Sequence, residues 1–206
     1  MNRANTKGFT LIELLVVIGI VAILSAVVIL TLNPAELLRQ SRDSNRLSDM
    51  STLKSAIALY LADVNTPRIH DASSTTSIPC STSVPSSTLP VATNPLNTIT
   101  CGARFITSTG TSTKSGILAV DASGWIPVRF IDISAGAPVG NLPKDPVNDN
   151  TYFYAYAAVS TTLVFEVNTD MESSRYRSGG SSNVEGPDGG TDANIYEVGT
   201  APGLAL

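Results

Sequence analysis

From Leu14 to Leu32 the chain reads LLVVIGIVAILSAVVILTL, nineteen residues without a charge. A helix of about 20 apolar residues spans a bilayer, and a helix is the solution open to one isolated apolar segment in lipid. The single charged side chain between Gly8 and Ala35 is Glu13. Ahead of the run, Met1 to Gly8 carries Arg3 and Lys7 and no acid. The positive-inside rule keeps that end in the cytoplasm and sends everything after about Asn33 outside. The run exceeds the ~7–15-residue apolar region of a secretory signal peptide, and Thr31-Leu32-Asn33-Pro34 offers no small-residue cleavage site. A plain signal anchor leaves Glu13 unexplained, because a carboxylate at the edge of lipid is costly unless paired or solvated at the interface.

The residues around Glu13 form a denser pattern. Lys7-Gly8-Phe9-Thr10-Leu11-Ile12-Glu13-Leu14-Leu15 resembles the processing and assembly motif of the type IV pilins and of the pseudopilins of type II secretion. That motif is a short basic leader, a glycine, an aromatic residue, three more residues and then a glutamate. The resemblance implies cleavage between Gly8 and Phe9 by a membrane-embedded prepilin peptidase, with N-methylation of Phe9. It implies that Glu13, one helical turn after Phe9, neutralises the N-terminal amine of a neighbouring subunit in a filament. A buried pair of that kind sets register more than it stabilises.

Asn33-Pro34-Ala35-Glu36 interrupts the apolar run. Asn suits an N-cap, Pro the first helical position and Glu the first turn, so a new or kinked helix is expected here. Pilins commonly carry helix breakers near this point, and the resemblance implies a segment able to unwind in a filament. From Glu36 to about Val64, Leu47, Met50, Ile57, Leu61 and Val64 recur at helical spacings. Arg39, Arg42 and Arg46 lie among Asp43 and Asp49, with Arg39–Asp43 at i,i+4. A solvated helix face is the expectation for these charges. Thr66-Pro67 ends the helix.

Residues 72–115 are nearly half Ser and Thr, with Pro79, Pro85, Pro90 and Pro95. They read as an extended loop region with short strands near Ile99 and Phe105. Cys80 and Cys101, the two cysteines, bracket the middle of it. In an exported chain a disulfide is expected, with two free thiols as the alternative. Expected strands are 116–121, 125–132, 152–159 and 163–167, the last two an antiparallel pair and the first two joined by the turn Asp121–Gly124. Trp125 is read as a core aromatic, with ligand stacking as the alternative. The fold class expected is α+β: one long N-terminal helix, half transmembrane and half amphipathic, packed on a small antiparallel β-sheet head. The divisions are leader 1–8, membrane and polymerisation helix 9–32, amphipathic helix 33–65 and head 66–206.

Asn141-Leu142-Pro143-Lys144-Asp145-Pro146 is similar to the loop before the last strands of major pseudopilins, whose C-terminal acidic loop binds calcium. Here Asp188 and Asp192, with Glu185 beside them, offer hard oxygens on a Gly-rich loop. Their spacing is not an EF-hand and does not align with the pseudopilin site, so a solvated loop is the alternative. No other cofactor is implied. One histidine, His70, and no phosphate-binding loop leave no nucleophile–base pair to assemble; an enzyme is not expected. A net charge of −4 disfavours direct nucleic-acid binding. The expected function is a filament subunit serving attachment, motility or DNA uptake. Its partners would be like subunits, the prepilin peptidase and an inner-membrane assembly platform with its ATPase. It would reside in the membrane before assembly and in a pilus afterwards. The alternatives are a pseudopilin of a secretion system, in a periplasmic pseudopilus, and a signal-anchored binding domain that forms no filament.

Overall fold

The computed structural model describes residues 8–70, 79–84, 101, 104–105, 110–111, 116–159, 161–200 and 206. The chain divides into two compact units, one ending at Leu38 and the other running from Arg39 to Leu206.

In the first unit, α1 (Leu11–Leu32) is 22 residues long. At ~1.5 Å per residue it measures about 33 Å, against a hydrocarbon core of about 30 Å. Segment Leu11–Ile29 is long and apolar enough to cross a membrane, and none of it is buried within the protein. A helix apolar on every side and exposed along its length suits lipid or neighbouring helices. Its hydroxyls are answered internally: Ser25 Oγ donates to the Val21 carbonyl at 2.7 Å and Thr31 Oγ1 to that of Val27 at 3.0 Å. The helix stops at Asn33, which adopts the left-handed conformation with φ 39° and ψ 76°. Asn tolerates this region better than most residues. α2 (Pro34–Asp63) begins at the next residue. Pro34 occupies the first helical position, where its missing N–H costs nothing. The Asn33 carbonyl accepts from Glu36 N–H at 3.0 Å and Leu37 N–H at 3.3 Å. The expected interruption is therefore a one-residue break between two helices.

In the second unit, α2 buries Met50, Leu53, Ala56, Ile57 and Tyr60, spaced at three, four and seven residues. They pack in one core with the front of a five-stranded sheet. The strands are β1 (Pro79–Thr82), β2 (Gly110–Thr111), β3 (Ala155–Val159), β4 (Val164–Thr169) and β5 (Tyr196–Gly199), in the order β2-β1-β3-β4-β5. All neighbours are antiparallel except β1 and β2. Side chains alternate between faces. Tyr154, Tyr156, Ala158, Phe165, Val167 and Val198 face the helix. Phe153, Ala155 and Ala157 face a smaller second core with Cys80, Cys101, Phe105 and Leu206.

The architecture is α+β and pilin-like, as expected, with the β3–β4 pair where the pattern placed it. Two expected strands are not strands. Residues 116–121 and 125–132 pass through turns and bends, and the carbonyls of Ile117, Leu118 and Val120 accept from three separate partners, the N–H groups of Trp125, Leu142 and Phe130. No continuous ladder forms; one isolated bridge joins Asp121 to Arg129, and Phe130–Asp132 turns into a 3₁₀ helix. Pro127, lacking an N–H, interrupts that stretch. The strand that does form early is β1, inside the Ser/Thr-rich region. Phe105 is buried and lies outside any strand, while the strand expected near Ile99 falls outside the described residues. β5 had no sequence signal.

Candidate functional site

The motif residues occupy the start of α1. Gly8 and Phe9 are exposed and precede the helix, Phe9 at 87 %. Nothing stands within 4 Å of where a Cβ would sit on Gly8. The chain itself does not need glycine there; a requirement for it would come from something that approaches the backbone.

Thr10 caps the helix with an extended backbone, φ −78° and ψ 153°. Glu13 is the third helical residue, and the two side chains close a reciprocal capping box. Thr10 N–H and Thr10 Oγ1 both donate to Glu13 Oε2 at 2.8 Å, and Glu13 N–H donates to Thr10 Oγ1 at 3.3 Å. The carboxylate lies at the positive end of the helix dipole, with two donors satisfying one oxygen. Gly8 and Phe9 thus lie just ahead of the apolar helix and Glu13 in its first turn, all three exposed. The Thr-x-x-Glu spacing was readable in the sequence and carried the cap as well as the motif.

In the second unit the charges of α2 do not form a solvated face. Arg46 and Asp43 are fully buried. Arg46 forms a forked pair with Asp145, Nε to Oδ2 at 2.6 Å and Nη2 to Oδ1 at 2.8 Å, and Nη1 donates to Asp43 Oδ1 at 2.7 Å. Asp43 also accepts from the N–H groups of Glu172 and Ser173 at 2.9 and 2.8 Å. Arg42 pairs with Glu172 through two hydrogen bonds, which hold the Glu172 carboxyl below its usual range. Arg39 lies 3.8 Å from Glu172, replacing the expected Arg39–Asp43 pair. The Leu-Pro-Lys-Asp-Pro run supplies three braces: Asp145 to Arg46, the Pro143 carbonyl to Trp125 Nε1 at 3.1 Å, and the buried Leu142. Trp125 is fully buried, a core residue and not a stacking platform.

Cys80 and Cys101 form a disulfide with Cα atoms 6.0 Å apart, not two free thiols. In the C-terminal loop, Asp188 accepts from Gly190 N–H at 2.8 Å and Glu197 N–H at 2.7 Å, and Asp192 from Asn194 N–H at 2.9 Å. Glu185 is buried and accepts from Met171 N–H at 2.9 Å and Ser178 N–H at 2.8 Å. These carboxylates act as turn braces. Among the described residues no group of three His, Cys, Asp or Glu side chains is placed to hold a metal ion.

Residues 3–29 match the family described as the prokaryotic N-terminal methylation motif. No curated protein and no solved structure matches the chain at a significant level. The chain carries the prepilin signature of type IV pilins and pseudopilins on an α+β, pilin-like fold. The signature supports a type IV pilin-like or pseudopilin protein, one processed by a prepilin peptidase and anchored in a membrane. It favours a structural over an enzymatic role.

Proposed function

We propose that the chain is a structural subunit of a type IV pilus-like filament. A prepilin peptidase cuts it between Gly8 and Phe9 and Phe9 is N-methylated. α1 then stores the chain in the membrane, and an ATP-driven assembly platform draws it into a filament through the same helix. The filament serves attachment, motility or DNA uptake. The observation that carries this reading is the motif itself, lying exposed directly ahead of a helix that is apolar on all sides. On assembly Glu13 exchanges its Thr10 donors for the amine of a neighbour's Phe9. A buried carboxylate–amine pair is costly to break from one side, about 3–5 kcal/mol, so it enforces stagger between helices.

The second reading is a pseudopilin of a type II secretion system, favoured by Asn141–Pro146, whose Asp145 clamps the helix through Arg46. The two differ in where the assembled chain is found. The test compares wild type with Glu13→Leu, measuring the chain in sheared surface material and in membranes. Wild type in the sheared fraction, with Glu13→Leu cleaved but confined to membranes, supports the pilus. Cleaved wild type confined to membranes overturns the pilus in favour of the pseudopilin.

A further inference from the structure

β5 is the outer strand of the sheet, four residues long, and pairs with β4. On the helix side Val198 seats it in the main core. On the other side its anchor is Glu197, which the register places opposite Asn168 and on the same face as Glu166. Glu166 and Glu197 are 1 % and 3 % exposed, and they are diagonal neighbours on one face of the β4–β5 pairing. An ionised carboxyl only accepts. Two carboxyls side by side in a dry site are disfavoured as a pair of like charges, so one of them keeps a proton.

The pair gathers three stretches of chain. Glu166 Oε2 accepts from Leu206 N–H at 3.1 Å, and its Oε1 from Asn168 Nδ2 at 3.2 Å. Glu197 Oε2 accepts from Asp192 N–H at 3.0 Å. Gly190 packs so closely that a Cβ there would stand 1.9 Å from Glu197 Oε2. The described groups around the pair offer no compensating cation. Asp188 and Asp192, from the loop before β5, are acidic. Arg104, on the segment whose carbonyl Asn168 reaches, turns its guanidinium to the Phe153 and Thr151 carbonyls at 2.7 and 2.9 Å. β3 presents Ala155 and Ala157, and β1 the disulfide-bonded Cys80; none of these titrates.

We propose that Glu166 and Glu197 form a proton-operated latch. With one proton shared it fastens β5, the loop Asp188–Asp192 and Leu206 to the back of β4; loss of that proton releases them. Burial pushes both carboxyls up, Glu197 to about 8 from an ordinary value of 4.5. The latched form keeps a proton that the released form gives up between those values. Opening therefore becomes easier as pH rises through that window, and the latch is tightest in mild acid.

The test is amide hydrogen exchange of the full-length chain in detergent with EDTA, from pH 5.5 to 7.5, each rate divided by that of an unstructured chain at the same pH. For residues 188–200 a one-proton linkage predicts an opening constant rising about tenfold per pH unit. Ala155–Val159 should show no such rise. Glu197→Gln, whose amide donates to Glu166 without a titrating proton, should make residues 188–200 insensitive to pH. Flat wild-type exchange at 188–200, or a rise shared equally by β3, overturns the latch even if the variant fails to fold. An undiminished pH response in a folded Glu197→Gln does the same.

Discussion

Truncating Asp145 to Ala leaves Arg46 charged, fully buried and short of its forked partner. The expected cost is about 3–5 kcal/mol, the usual penalty for breaking a buried ion pair from one side. Arg129→Ala, which removes an exposed pair with Asp132, should cost under about 1 kcal/mol. Denaturant unfolding of both variants in detergent checks the contrast. Glu172 adds a pH dependence. Arg42 holds its carboxyl below the usual 4.5, so its contribution is present at neutral pH and lost as pH falls through that lowered value. Arg42→Ala should flatten the fall in melting temperature between pH 5 and 3. Local spacing could not reveal these partners. Arg46 and Asp145 are 99 residues apart, whereas the sequence offered a nearer arrangement on one helix face. The N-terminal motif was legible because Gly8 to Glu13 are six consecutive residues.

Among the elements, both helices were legible from apolar periodicity and from Asn33-Pro34, and β3 and β4 from their paired runs. The stretch 116–132 was not, because its apolar residues record burial without a ladder: Trp125, Ile126, Pro127 and Val128 are all buried, and the carbonyls of Ile117, Leu118 and Val120 serve separate partners. β5 is only four residues long, too short for a pattern. β1 was hidden by its polar composition, and the disulfide shows why it persists. Cys80 lies on β1, and with Cys101 it fills the second core behind the sheet. Reducing that disulfide should cost about 3 kcal/mol by the chain-entropy account. Unfolding with and without a thiol reductant measures it. The loss should fall chiefly on β1, where the second core loosens.

At the scale of the whole molecule, one unit carries the signature and the other carries the fold. The first is an apolar helix with its polar groups internally satisfied and an exposed motif at its head. The second is a sheet and helix fastened by buried ion pairs, a disulfide and two cores. A chain divided this way keeps its apolar signature helix, fit for lipid, apart from an acidic head fit for water. The most direct test of this account is the N-terminal mass of the chain recovered from sheared surface filaments and from membranes. The account predicts a chain beginning at methylated Phe9, abundant in the sheared material. A chain beginning at Met1 in both fractions would contradict it.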